Sequence, residues 1–141
     1  MNKTILLQIQ AELRAPKSLT NKFGGYSYRS AEGIQEAVKP LLKKYGAVLT
    51  ISDEIEEIGG RVYVKAIASL WDAETGEAIA GVQGFAREAE NKKGMDDAQI
   101  TGAASSYARK YALNGLFCID DTKDPDATND HGKGKSQDLD F

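Results

Sequence analysis

The chain is poor in the residues that build covalent staples, metal centres and catalytic triads. Its 141 residues include one cysteine, Cys118, and one histidine, His131. A single cysteine excludes an internal disulfide and suits a reducing cytoplasm. One histidine is too few for a Cys/His metal site, and its place near the carboxyl end argues against a histidine-based triad. We therefore expect a protein that is not an enzyme and that uses no metal or other cofactor.

Long apolar runs and nucleotide-binding motifs are also missing. No stretch of the sequence approaches the roughly 18 apolar residues that a transmembrane helix needs. Polar residues interrupt the amino terminus too early for a signal peptide. The Gly-x-x-x-x-Gly-Lys-Ser/Thr motif is absent, which argues against an ATP-driven enzyme. We therefore expect that the chain is not an integral membrane protein and has no membrane partner, and the single cysteine favours a cytoplasmic location.

Acidic residues are concentrated at the carboxyl end. The chain has 18 basic and 21 acidic side chains and a net charge of −3. Residues 120–141 hold three of the basic and seven of the acidic side chains. Residues 1–119 therefore contain 15 basic and 14 acidic side chains. The body is therefore close to neutral, and the net acidity does not exclude nucleic acid as a partner. We predict a folded core over residues 1–121 and a disordered acidic tail over 122–141.

Apolar periodicity predicts an α+β fold. Residues 3–13 have the spacing of an amphipathic helix, and a second helix follows an N-cap at Ser30 and ends at Gly46. Pro40 lies inside that second helix and is expected to kink or split it. Period-two alternation and short turns then predict a three-stranded antiparallel sheet packed with helices. Its strands are expected at residues 48–58, 61–72 and 77–88.

A last, long helix carries the most informative pattern. Asp96 and Gln99 form a box-like start, and Asn114-Gly115 is predicted to end the helix with a left-handed residue. Small residues crowd its first half, at 102–106, and are typical of close packing against a backbone or a neighbouring subunit. The rest of this helix combines aromatic and basic side chains.

Arg109 and Lys110 are predicted to contact DNA phosphates. They lie on a flank away from the apolar stripe, and no acidic residue follows Asp97 within the helix to pair with them. The alternative is a pair of solvated surface cations. Tyr107 and Tyr111 fall on the apolar stripe at helical spacing, and we assign them to the core.

An acid-free segment, residues 14–31, is the first candidate for DNA contact. It interleaves cations with aromatic rings, which suits neutralised phosphates and bases stacked on the rings. The alternative is a loop whose aromatic residues belong to the core. The predicted DNA contacts in this segment are Lys22, Tyr26, Tyr28 and Arg29.

The junction between the sheet and the long helix is a further candidate. We include Lys92 and Lys93 as DNA contacts. Three other cations, on the exposed strand face and at this junction, are weaker candidates, and acids in the junction partly cancel its charge. They are Arg61, Lys65 and Arg87.

Two separated segments together resemble the Erf family. They are the glycine-rich run Lys22-Phe23-Gly24-Gly25-Tyr26-Ser27-Tyr28-Arg29 and the helix from Gly94 through Phe117, within a resemblance that covers roughly residues 3–128. Erf proteins are phage and prophage single-strand annealing proteins of recombination. The resemblance implies ATP-independent binding of single-stranded DNA, pairing of complementary strands, and assembly into rings or arcs in the bacterial host cytoplasm. It also implies a β-β-β-α core of the Rad52-like type and a partner exonuclease.

The last four residues, Asp138-Leu139-Asp140-Phe141, resemble the acidic tip of bacterial single-stranded-DNA-binding proteins. Such a tip implies recruitment of host replication or repair proteins, or a contact with the chain's own DNA groove. The alternative is a solubilising terminus.

Three other functions stay open at this stage. The nearest is a protein that coats single-stranded DNA without annealing it. A nuclease is the second, with Asp120 and Asp121 as metal ligands. The third is an assembly protein with no role on nucleic acid.

Overall fold

The computed structural model describes residues 3–17, 19–21, 25–90 and 94–120. Its architecture is α+β, as predicted, with a three-stranded antiparallel sheet in the order β3-β4-β5 and a separate small hairpin of β1 and β2. The predicted tail, residues 122–141, lies outside the described residues. The elements in chain order are α1 (Lys3–Glu12), β1 (Leu19–Asn21), β2 (Tyr26–Tyr28), α2 (Ala31–Tyr45), β3 (Ala47–Ile58), β4 (Arg61–Asp72), β5 (Ala78–Arg87) and α3 (Asp97–Phe117).

The central strand β4 sets the two faces of the sheet. Its alternate residues Val64, Ala66, Ala68 and Leu70 are buried, and the residues between them are only half-buried. Both neighbours pair with β4 in antiparallel register, so β3 and β5 run in the same direction. The period-two alternation of the sequence therefore predicted the strands within one residue at each end.

Helix α2 begins and ends where the sequence predicted. The Ser30 side chain accepts a hydrogen bond from the Gly33 amide at 2.9 Å, and Gly46 takes the left-handed conformation at φ 72°. The expected split at Pro40 was wrong, because one helix runs through it. Proline removes one backbone hydrogen bond and crowds the preceding turn, but the fully buried Ile34 and Val38 hold this helix against the core.

Helix α3 begins at the predicted capping box but does not end at Asn114-Gly115. The Asp96 carboxylate accepts from the Gln99 amide, and the Gln99 side chain accepts from the Asp96 amide, each at 2.9 Å. The helix continues to Phe117, and Cys118 provides the left-handed residue at φ 61°. Gly115 lies inside the helix instead. A Cβ there would come within 2.8 Å of Val82 Cγ1, so this glycine permits close packing.

The core lies between the sheet and the helices. Helix α3 crosses β4 and β5, and α1 and α2 contribute the buried Ile9, Leu13, Ile34 and Val38. The Gln10 amide of α1 donates to the Leu116 carbonyl near the end of α3 at 2.9 Å. No helix among the described residues is long and apolar enough to span a membrane.

Helix α3 approaches the sheet very closely at Gly84 of β5. A Cβ at this position would lie 2.5 Å from the Ala112 nitrogen and closer still to the Ala108 carbonyl oxygen. Both clashing groups are backbone atoms, which no side-chain rotation can move. Only glycine fits at this position of the strand, and the helix places the fully buried Ala108 and Ala112 against it.

Replacing Gly84 with alanine should therefore destabilise the protein by about 1–3 kcal/mol, because the added methyl overpacks a rigid contact. Gly81→Ala in the same strand is the matched control, since the atom nearest to an added Cβ there is Ser69 Oγ at 3.6 Å, an ordinary van der Waals contact. Gly81→Ala should be neutral or stabilising by up to about 1 kcal/mol. Urea unfolding of both variants measures the difference. Equal stabilities would mean that the helix does not pack this closely.

Candidate nucleic-acid interface

Strand β2 and helix α3 bring two of the predicted DNA-binding residues together. The Lys110 ammonium lies 5.6 Å from the ring centroid of Tyr28 and 5.4 Å from that of Tyr107. Both distances are in the range of cation–π attraction. We call these three residues the Lys110 cluster. The two rings hold a cation at the surface of α3, where a phosphate can approach it.

Tyr107 and Tyr111 are exposed, so their assignment to the core was wrong. Their exposed fractions are 53% and 47%. The row that faces the sheet is Ala104, Ala108 and Ala112, because the close approach at Gly84 leaves room only for methyl groups. Each tyrosine directly precedes an alanine of this row, so both rings lie on one side of the helix face that packs on the sheet. Their ring centroids are 6.2 Å apart.

A groove of about 390 Å³ runs between β5 and α3, and we call it the β5–α3 groove. Tyr107 and Tyr111 line it from the helix, and Arg87 lies at the end of β5. Sequence reasoning missed this groove because it depends on which helix row faces the sheet. Its other lining residues are all apolar. They are Phe85, Ala86, Ala89, Met95, Ile100, Ala103 and Ala104.

Arg109 lies on the opposite flank of α3 and is paired across the fold. Its Nε is 3.1 Å from Asp53 Oδ1, and its Nη2 donates to Oδ2 at 3.3 Å. Ser105 Oγ donates to the same carboxylate at 2.5 Å. The sequence contained no acid for Arg109 within its helix, but the fold supplies one from β3. This pair ties α3 to the edge of the sheet, and DNA contact by Arg109 stays a prediction.

Arg29 bridges two distant parts of the chain. Its Nε donates to the Ala15 carbonyl and its Nη1 donates to the Asp120 carbonyl, the latter at 3.0 Å. The guanidinium therefore holds the segment after α1 against the segment after α3. This positions the adjacent Tyr28 beside α3. A DNA contact by Arg29 stays a prediction beside this structural role.

The weaker candidates on the sheet are paired with acids. Lys65 Nζ lies 2.7 Å from Glu56 and 3.1 Å from Glu54. The Lys65 ammonium donates hydrogen bonds to these carboxylates, most strongly to Glu56, and they raise the pKa of Lys65 above its usual range. Arg61 lies 3.9 Å from Glu90. The carboxylates therefore neutralise much of the positive charge on this face.

Several predicted site residues lie outside the described residues. They are Lys22, Lys92, Lys93 and the tip Asp138-Leu139-Asp140-Phe141, together with the side chain of Tyr26 and with Asp121. Within residues 3–17, 19–21, 25–90 and 94–120, no group of three or more His, Cys, Asp or Glu side chains is arranged to hold a metal ion.

Comparisons with known proteins agree with the resemblance seen in the sequence. The model of the ERF superfamily matches residues 3–139. The chain is 60% identical over 126 residues to the "Essential recombination function protein" of Salmonella phage P22. The aligned part is 89% of this chain and 58% of that protein, so the chain spans less than two thirds of the relative's length. No solved structure matches.

The ion pair between Arg109 and Asp53 should couple α3 to β3 by about 0.5–1 kcal/mol in the free energy of unfolding, since both side chains are partly exposed. Arg109→Ala, Asp53→Ala and the double variant form the cycle, measured by urea unfolding. The pair Lys39–Glu36, which is 63% and 71% exposed, provides the control cycle and should give no more than about 0.5 kcal/mol. A coupling that does not exceed the control value would contradict a tie between helix and sheet.

Proposed function

The chain belongs to the ERF superfamily, and on this premise we propose that it acts in phage-type homologous recombination by binding single-stranded DNA and annealing complementary strands. We further propose that it does so without ATP and as a homo-oligomer. The name of the phage P22 relative refers to recombination, and 60% identity over 89% of this chain supports a shared role. The relative is longer, so activities in its remaining part are not transferred.

The Lys110 cluster is the observation that carries this proposal. An ammonium contacts phosphate as a point charge and releases counterions from the DNA backbone. The Tyr107 ring, 53% exposed, stands beside it as a surface on which an unpaired base can stack.

These contacts read no sequence. Every base has a π-face, and a stacked base keeps its Watson–Crick edge available. A strand that is held by its backbone and by stacking can therefore form base pairs with a complementary strand, which annealing requires. Bidentate contacts to base edges, the usual device of sequence recognition, would block that edge or restrict the site to one base.

The two components of this site can be separated by experiment. Lys110→Gln should weaken binding of a short single-stranded oligonucleotide and reduce the salt slope by about 0.7, the value for one lost phosphate contact. Tyr107→Ala should cost about 1–3 kcal/mol of binding free energy, from one lost base stack, and should leave the slope unchanged. Fluorescence anisotropy at several salt concentrations measures both quantities.

Lys39→Gln is the matched control for Lys110→Gln. It removes the same charge from an exposed lysine of α2 that is paired with Glu36. We expect no more than the small change that follows from net charge. If Lys39→Gln and Lys110→Gln weaken binding equally, the contact is not located at the Lys110 cluster.

Annealing itself is tested with complementary fluorescent oligonucleotides in the absence of ATP and magnesium. The protein should speed pairing, and Lys110→Gln should reduce that acceleration in proportion to its loss of binding.

Binding without faster pairing would support the strand-coating alternative. Magnesium-dependent shortening of the strands that is lost in the double variant Asp120→Ala and Asp121→Ala would support a nuclease. Binding that is absent or insensitive to salt would favour an assembly protein.

A further inference from the structure

The sheet has two open edges. Strands β3 and β5 are its outer strands, and in the described part of the chain no further strand pairs with either of them. An open edge presents backbone donors and acceptors that can pair with another chain. Exposed apolar side chains accompany both edges. Ile55 and Ile58 of β3 are 61% and 51% exposed, and Phe85 and Met95 beside β5 are 41% and 37% exposed.

We propose that the β3 edge of one copy pairs in parallel with the β5 edge of the next, and that Ile55 of the added copy enters the β5–α3 groove. This inference rests on the oligomer of the proposed function and names the surfaces that form it. The occupant of the groove is a second copy of this chain. The lining is mainly apolar, which suits an isoleucine side chain better than a polyanion.

The register of the sheet supports this pairing. Ile55 lies opposite Val64, and Val64 lies opposite Ala86. Because β3 and β5 run in the same direction, a copy added in the same orientation and register places its Ile55 in the row of Ala86. Ala86 lines the β5–α3 groove. The exposed isoleucine and the groove therefore meet without any shift along the strands.

Charge is complementary in the next row. Glu56 lies opposite Tyr63, and Tyr63 lies opposite Arg87, so the same arrangement brings Glu56 of the added copy beside Arg87. Strand β5 contains no acidic residue from Ala78 to Arg87. Opposite charges on adjacent strands attract, which favours this register.

The same charges disfavour a symmetric contact between two β3 edges. Four of the five residues at positions 53–57 are acidic. A two-fold pairing centred on Ile55 would set Glu54 of one copy opposite Glu56 of the other. These two acids share the single cation Lys65 in each copy, so a net negative charge remains on each edge and the edges repel. The contact is therefore head-to-tail, which produces rings or open arcs according to the rotation between copies. Every copy then presents its Lys110 cluster on the same side of one continuous sheet.

Two variants test the head-to-tail arrangement. Ile55→Asp places a charge on the β3 side and leaves the groove intact, whereas Ala103→Glu places a charge in the groove and leaves β3 intact. Each variant alone should be monomeric in analytical ultracentrifugation under conditions in which the wild-type chain is oligomeric. An equimolar mixture should form a dimer that grows no further, because only one intact contact can form.

Leu7→Asp is the control, since Leu7 is 63% exposed on α1 and lies outside both proposed surfaces. This variant should assemble like the wild type. Circular dichroism and thermal unfolding confirm that each variant is folded, and Arg87→Glu is a second groove-side variant if Ala103→Glu unfolds. A monomeric wild type, variants that still assemble, or a mixture that stays monomeric would overturn the proposal.

Failure here can be distinguished from failure of the proposed function. The monomeric Ile55→Asp variant keeps the Lys110 cluster, so it should bind a short oligonucleotide with the affinity of one wild-type subunit. A wild type that assembles as described but binds no DNA overturns the proposed function and leaves the interface standing. A monomeric wild type that binds and anneals DNA overturns both the interface and the proposed homo-oligomer, and it leaves the proposed DNA binding and annealing standing.

Discussion

The close packing of α3 on β5 at Gly84 is the contact on which the other surface features depend. Backbone atoms of the helix approach the strand so closely that a Cβ at Gly84 would lie 2.5 Å from the Ala112 nitrogen. The helix must therefore present alanines to the sheet. Larger side chains of α3 are displaced to its flanks. On one flank, Tyr107 and Tyr111 lie beside β5 and form one wall of the β5–α3 groove. The Tyr107 ring also makes the cation–π contact with Lys110.

The other flank of α3 is joined to strand β3 by polar contacts. Arg109 and Ser105 both donate to the Asp53 carboxylate of β3. The two flanks consequently have different chemistry, with charge pairing toward β3 and aromatic and apolar surface toward β5. In the proposed assembly Tyr107 forms the wall between two neighbouring surfaces. One surface takes a DNA strand at Lys110, and the other takes the next copy of the chain.

Much of the fold could be predicted because its signals are local. Alternation along β4 follows from which side chains meet the core, and the caps at Ser30 and Asp96 satisfy amides within three residues of themselves. Errors arose where a local signal had a non-local cause. Gly115 is a typical helix stop in the sequence, yet it is a glycine because Val82 lies against it. Pro40 is tolerated because the buried face of α2 holds the helix together.

The sequence by itself determined the order of the three helices and of strands β3 to β5, the faces of those strands, the start of each long helix and the family, but not the hairpin of β1 and β2. Only the tertiary structure decided which row of α3 faces the sheet. Two rows, Ala104 with Ala108 and Tyr107 with Tyr111, both have helical spacing, and the sequence favours the larger residues for the core. The choice depends on Gly84, more than 20 residues earlier in the chain. The acid that pairs with Arg109 lies 56 residues away. Contacts between distant residues leave no periodic signal, so only the folded chain reveals them.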